Sequence, residues 1–225
     1  MKLSVIIPAY NEQLTIIEVL QRVQEVELEK EIIVVNDGST DGTGDLLNQR
    51  AAKNVHIVHL PVNGGKGAAI REGLRHATGE VVVIQDADLE QDPQAYRAML
   101  EFITSGKARV VYGSRFAKPA LNVRWANWFA NRLLTWLTNL LYGSQLTDME
   151  TAYKMFRREV ILDIPLNCQR FEFEPEVTAK LLKRGEPILE LPIDYSPRTR
   201  DQGKKIGWRD GVEAIVTIIR YRFAD

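Results

Sequence analysis

Two carboxylates stand two residues apart in Asp86-Ala87-Asp88, directly after the apolar run Val81–Ile84 and Gln85. Oxygen donors at that spacing, at the end of a buried strand, can converge on a hard divalent cation, and Glu90 offers a third oxygen ligand. Magnesium and manganese accept such ligands and usually keep waters and substrate phosphates in their other positions. The plain alternative for a lone pair of this kind is a solvated turn. Asp37 ends a second apolar run, Ile32–Asn36. It can accept hydrogen bonds from a base or a ribose, with Gly38-Ser39 allowing close approach. It can equally belong, with Ser39, Thr40 and Asp41, to the cap of the next helix. Gly64-Gly65-Lys66-Gly67 can cradle phosphate at a helix N-terminus. It is not a Walker loop, because no Ser or Thr follows the lysine and the glycine spacing differs.

Other chemistries lack their residues. No G-x-G-x-x-G follows the first strand, which argues against a nicotinamide dinucleotide fold. There is no G-x-S-x-G and no H-E-x-x-H. His56 and His59 lie three apart in an apolar run, so on a strand they point to opposite faces and read as structural. Cys168 is the single cysteine. One thiol excludes a disulfide framework and a four-cysteine zinc site, and it fits a reducing compartment.

The elements that must position these residues alternate between strand and helix. Leu3–Ile7 reads as a strand, residues 12–28 as a helix carrying Leu14, Ile17, Leu20, Val23 and Leu28 on one face, and Glu31–Val35 as a strand. Thr43 to Lys53 follows as a helix, Val55–Leu60 as a strand, Ala68–Ala77 as a helix and Val81–Ile84 as a strand. Pro93 starts the next helix, Ala95–Ile103, and Arg109–Tyr112 is a fifth strand. This pattern predicts an α/β fold, a mostly parallel Rossmann-like sheet flanked by helices, in a single domain. In such sheets ligands sit beyond the carboxyl ends of the strands, where Tyr10–Glu12, Asp37–Thr40 and Asp86–Asp88 fall.

The 225 residues are 45% hydrophobic and 26% charged, with a net charge of -1. That balance hides an asymmetry. Residues 1–92 hold 15 acids and 8 bases, and residues 93–225 hold 15 acids and 21 bases. Between Glu101 and Asp148 there is no acid, but there are six bases: Lys107, Arg109, Arg115, Lys118, Arg124 and Arg132. Segregated charge of this kind points to an anionic partner for the second half, or to a solvated basic face. The near-zero net charge and the lack of a reading motif argue against nucleic acid as that partner. No apolar run approaches the roughly 18 residues of a membrane-spanning helix. Met1–Pro8 lacks a cleavage site and reads as the first strand of a cytosolic-side protein. Residues 125–141 carry Trp125, Trp128, Phe129, Leu133, Trp136, Leu137, Leu140 and Leu141 near Arg124 and Arg132. Such a helix suits a bilayer interface, and equally a protein core or a dimer interface.

Taken in order, Pro8-Ala9-Tyr10-Asn11-Glu12, Asn36-Asp37-Gly38-Ser39-Thr40-Asp41-Gly42-Thr43, Gly65-Lys66-Gly67, Asp86-Ala87-Asp88-Leu89 and Gly113-Ser114-Arg115 resemble a family-two glycosyltransferase of the GT-A fold. Thr147–Phe156, Phe173-Glu174-Pro175-Glu176 and Gly203–Trp208 are similar to the dolichyl-phosphate mannose synthase-like branch, which glycosylates polyprenyl phosphates. The resemblance runs from Val5 to about Gly211. It implies a nucleotide-sugar half over about 1–115 and an acceptor half over about 116–225. It implies that Pro8, Tyr10, Glu12 and Asp37 line the base and ribose pocket, with Lys66, Asp86 and Ala87 completing the nucleotide-sugar site. Asp88, with Glu90, would hold Mg2+ or Mn2+ on the diphosphate. Many members have Gln at the place of Glu90 and Asp at the place of Asn36. Arg115, Arg132, Arg200 and Lys205 would bind the acceptor phosphate.

A phosphate monoester is already mostly an oxyanion at neutral pH, so this transfer needs no general base. It needs cations that gather two anionic substrates, and a metal that neutralises the departing nucleoside diphosphate. In-line attack would invert the anomeric carbon. The expected donor is GDP-mannose first and UDP-glucose second, and the expected place is the cytosolic face of a membrane. Three rivals remain. They are a transferase to a sugar hydroxyl, using Asp148 or Glu150 as base, a nucleotidyltransferase, and a non-catalytic nucleotide-binding module.

Overall fold

A computed structural model describes residues 1–50, 53–117, 125–197 and 208–224. Seven strands form one sheet: β1 (Leu3–Ala9), β2 (Lys30–Asp37), β3 (Val55–Leu60), β4 (Val81–Ile84), β5 (Val110–Ser114), β6 (Lys154–Arg157) and β7 (Ile188–Pro192). Their order is β3-β2-β1-β4-β6-β5-β7. All neighbours run parallel except β6, which is antiparallel to both β4 and β5. The expected mostly parallel sheet is therefore present, with one reversed strand that periodicity had not shown. β6 is four residues long and has Lys154 inside it. The lysine is fully buried, and its ammonium donates to the carbonyls of Met149 and Thr151.

Alternation along the strands builds two apolar layers. Val5, Ile7, Ile32 and Val34 face α1 (Ile16–Glu25) and α4 (Tyr96–Thr104). Ile6, Ile33, Val35 and Val82 face α3 (Lys66–His76) and α7 (Phe173–Lys183). α2 (Thr43–Asn48) and α6 (Arg158–Leu162) are short. α5 (Trp125–Tyr142) and α8 (Trp208–Phe223) pack on each other around Leu134, Met149, Ala214 and Ile218.

Two helices begin where the residue pattern had not put them. α1 starts at Ile16 rather than at residue 12, and Leu14 is 89% exposed. The preceding turn is held by Thr15, whose hydroxyl donates to Ala87 O (2.7 Å) and Glu12 Oε2 (3.0 Å). α3 starts at Lys66, two residues earlier than expected. Its cap is Gly65, at φ +89°, where a Cβ would stand 2.5 Å from the carbonyl oxygen of Gln169.

The opposite end of the sheet is pinned by Glu31. Its buried carboxylate accepts from Lys2 Nζ (2.6 Å), Ser4 Oγ (2.6 Å), and the N (2.6 Å) and Oγ1 of Thr78. Burial alone would raise this carboxyl, but the donors outweigh it and hold it at about 2. The native state keeps the ionised form. The stability it contributes is present above the ordinary glutamate range and is lost as pH falls from about 4.5 toward 2. Glu31→Ala is expected to cost about 2–3 kcal/mol in urea unfolding at pH 7 and much less at pH 3. An equal loss at both pH values would rule out the ionised carboxylate as the source.

Candidate active site

The carboxyl ends of β1, β2, β4 and β5 bring their polar loops to one edge of the sheet. The β1 loop is stitched to the β2 loop. Asn11 N donates to Ser39 Oγ (3.0 Å), Thr40 N to Asn11 Oδ1 (2.8 Å), and Glu12 N to Thr43 Oγ1 (2.9 Å). Pro8, Tyr10 and Glu12 are half-buried along this edge.

Asp37 ends β2 against the glycine loop. It is 2% exposed, and both of its oxygens are engaged by the protein. Gly64 N donates to Oδ1 (2.8 Å), while Gly65 N (2.8 Å) and Asn63 Nδ2 (2.9 Å) donate to Oδ2. Asp37 thus shapes the glycine loop, and the close approach at Gly38 is to the backbone of Val62 and Asn63. The glycine loop in turn is not an open phosphate cradle. Gly67 N donates to Arg170 O (3.0 Å) and Ala68 N to Gln169 O (2.9 Å), so those amides are used within the chain. Asn36 pairs with His59 (2.9 Å) and receives Ser39 N (3.2 Å), which makes His59 structural as its position in the strand implied.

Lys66 is the cation of this site. Its Nζ lies 2.8 Å from Asp86 Oδ1 and 2.8 Å from Glu174 Oε1. Burial works against the charge, but Asp86 and Glu174 outweigh it, and the ammonium stays protonated above the ordinary lysine range. Glu174 opens α7, over a hundred residues from Lys66 in sequence. Residue pattern alone had assigned it no role. Only its place in the Phe173–Glu176 run marked it.

Beyond Asp86, Ala87 is buried, and Asp88 Oδ1 accepts from Glu90 N (3.1 Å). Leu89, between them, has φ +63°. A branched residue there is a backbone outlier, and such strain gathers at functional loops. Among the described residues no cluster of three or more His, Cys, Asp and Glu is set to hold a metal. Asp86 is shared with Lys66, and Glu90 Oε2 accepts from Tyr195 Oη (2.5 Å). Magnesium or manganese that arrives with a diphosphate needs only one or two protein carboxylates. The loop's oxygens suit such an ion, which Asp88 would hold, and do not suit an all-protein cage.

Arg115, past β5, has its fork on Asp148 instead of open for a phosphate. Nε donates to Oδ2 (2.7 Å) and Nη2 to Oδ1 (2.8 Å). The guanidinium also lies over the rings of Phe116 and Tyr195. Burial opposes its charge, but Asp148 more than compensates, so Arg115 stays ionised. Glu190 on β7 fixes the same loop by accepting from Thr147 N (2.7 Å) and Asp148 N (2.9 Å). This pairing also occupies Asp148, one of the two candidate bases. The other, Glu150, has a buried Oε1 with no hydrogen-bond partner among the described residues. Burial pushes its carboxyl up to about 8, with Glu174 adding to the shift and Lys154 and Arg115 opposing it.

Arg132 is exposed on α5. Arg200 and Lys205 lie outside the described residues. α5 packs inward with Leu134 beside Asn131, Thr135 and Thr138, while Trp125 (81% exposed), Trp128, Phe129, Leu133, Trp136 and Leu140 point outward. The core-helix alternative is therefore excluded for these tryptophans.

Residues 4–164 match the family described as glycosyl transferase family 2. The chain belongs to glycosyl transferase family 2. Its relatives include the undecaprenyl-phosphate mannosyltransferase of Micrococcus luteus, 30% identical over all of this chain and 95% of that protein. The polyprenol monophosphomannose synthase of Mycolicibacterium smegmatis is 32% identical over 90% of this chain and 80% of its own length. The fold is GT-A. Glucosyl-3-phosphoglycerate synthase from Mycobacterium tuberculosis, solved with Mn2+, UDP and phosphoglyceric acid, superposes with a TM-score of 0.77 at 19% identity. That comparison covers 100% of this chain and 79% of the other. In this family-two chain the strand-end edge is the candidate site, and the loop around Asp148 lies beside it.

Proposed function

We propose that this chain moves a hexose from a nucleotide sugar, GDP-mannose first and UDP-glucose second, to a polyprenyl phosphate on the cytosolic face of a membrane. One observation carries the reading: a helix with exposed tryptophans and Arg132 facing outward belongs to the same chain as a strand-end carboxylate site. A lipid-linked acceptor requires both. The names of the relatives support the same acceptor class. All 225 residues act as one domain in this reading, with the donor half at about 1–115.

The acceptor phosphate oxygen attacks the anomeric carbon as the bond to the diphosphate oxygen breaks. The configuration inverts, and the nucleoside diphosphate leaves. A divalent ion at Asp88 would neutralise the leaving diphosphate. Lys66 holds Asp86 in place and offsets its charge. Arg115 orients Asp148 and, with Arg132, Arg200 and Lys205, meets the acceptor phosphate in this reading. No proton has to be removed from the nucleophile.

The deciding experiment offers each donor with polyprenyl phosphate or with the matching polyprenol. Phosphate should be the better acceptor, and preference for the alcohol would overturn the reading. Glu150 favours one second reading, transfer to a hydroxyl, because a carboxyl near 8 is matched to general-base work at neutral pH. The two readings predict opposite pH profiles. With a phosphate acceptor, ionising Glu150 adds a repulsive charge, so the rate falls as pH rises through about 8, and Glu150→Gln flattens that fall. With Glu150 as base, the rate rises through the same pH and Glu150→Gln abolishes it.

Membrane attachment has its own test. No helix among the described residues is long and apolar enough to cross a membrane. α8 adds Val212, Val216, Ile219 and Phe223 to the exposed apolar surface of its partner α5. Vesicles containing anionic lipid should carry the protein upward in flotation. Trp125→Glu with Trp128→Glu should leave most of it at the bottom. Flotation unchanged by both substitutions would remove α5 from the contact.

A further inference from the structure

Tyr195 touches both halves of the site. Its hydroxyl donates to Glu90 Oε2 at 2.5 Å. The guanidinium of Arg115 lies 5.3 Å from its ring centroid, and the other end of that guanidinium holds Asp148. The backbone makes the same connection. Tyr195 forms an antiparallel bridge with Gln91, and Ser196 N donates to Glu90 O at 2.9 Å. These contacts close around Asp88–Gln91, the loop with left-handed Leu89. A strained conformation persists only where its surroundings over-determine it, and residues 195–196 supply that restraint from outside the loop.

We propose that Tyr195 is a positioning residue that ties the Asp86–Glu90 loop to the Arg115–Asp148 pair, so that filling the donor site sets the geometry of the acceptor side. The inference rests on the polyprenyl-phosphate reading. Any ligand that draws on the Asp88–Glu90 loop must move, or be resisted by, the hydroxyl bond to Tyr195. The tyrosine ring then passes that displacement to Arg115, and Arg115 to Asp148. Coupling of this kind is a binding free energy shared by two sites, and it must be reciprocal.

The test is a ratio of affinities, which does not depend on turnover. Farnesyl phosphate binding is measured by calorimetry with and without saturating Mn2+ plus GDP, and again with UDP. In the wild type the nucleotide should tighten farnesyl phosphate about fivefold or more. Tyr195→Phe keeps the ring on Arg115 but removes the hydroxyl, and should bring the ratio close to one. Glu90→Gln keeps an acceptor for the hydroxyl and should preserve most of the ratio. Glu90→Ala should lose it, and the Glu90→Ala, Tyr195→Phe double variant should lose no more than either single one. Melting curves for each variant identify any that fail to fold, and the remaining single variant then carries the comparison. A wild-type ratio near one, or an undiminished ratio in Tyr195→Phe, overturns the coupling and leaves the acceptor reading standing. A wild type that binds no farnesyl phosphate and transfers nothing to polyprenyl phosphate brings down both.

Discussion

Lys66→Met should destabilise the protein by about 2–4 kcal/mol and reduce sugar transfer at least a hundredfold, because it strands the buried Glu174 and the half-buried Asp86 that shared one cation. Asp86 and Glu174 each lie 2.8 Å from Lys66 Nζ, and the Glu174 side chain is 6% exposed. Methionine keeps the length and apolar stem of lysine but neither the charge nor the donors. Urea unfolding reads the stability term. The raised lysine pKa fixes its pH range: this contribution is complete below the ordinary lysine value and fades only as pH climbs through the native one. The difference from wild type should therefore persist from neutral pH to pH 9. Lys66→Met with Glu174→Gln removes one of the stranded charges and should recover much of the stability. Transfer should stay low, since Asp86 still lacks its partner. Wild-type stability and transfer in Lys66→Met would show that the bridge is peripheral to both.

Asp88→Ala is expected to lower transfer by about three orders of magnitude while the melting temperature stays within a few degrees of wild type. Asp88 is half-buried in a loop beyond β4, where its Oδ1 accepts from Glu90 N at 3.1 Å. Its removal therefore leaves the core untouched. The loss should appear in the charge of the leaving diphosphate. EDTA should abolish wild-type transfer and Mn2+ should restore it, while the variant responds weakly to either. Turnover that persists in EDTA, or an active Asp88→Ala, would exclude a metal-assisted departure.

The parts legible without a structure share one property: they are local. Val81–Ile84 reads as a buried strand from four consecutive β-branched residues, and the structure has the strand at those bounds. Asp86 and Asp88 fall at its carboxyl end because the chain cannot put them elsewhere. The first five strands, the helices between them and the family resemblance all follow from runs of this kind. Beyond residue 112 the residue pattern marks only the helix over 125–141. β6 carries a lysine whose burial is possible only because two carbonyls and the ring of Tyr112 receive its ammonium. β7 is a short strand, half-buried over most of its length, with Glu190 in its middle.

Residue types alone set which groups were available for chemistry: paired carboxylates after a strand, a lysine in a glycine loop, an arginine after the fifth strand, and tryptophans along one helix. Partnership was decided in three dimensions, because a charged group seeks its counterion through space and not along the chain. Lys66 found Glu174, Arg115 closed its fork on Asp148, and Glu90 was taken by Tyr195, over separations of 108, 33 and 105 residues. Asp37 also organises the glycine loop, since the Gly64 and Gly65 amides lie within bonding distance of its buried carboxylate. Which way α5 faces was also beyond its own residues. Spacing shows only that a helix has an apolar side, whereas the packing of Asn131, Thr135 and Thr138 inward leaves the tryptophans in contact with whatever lies outside.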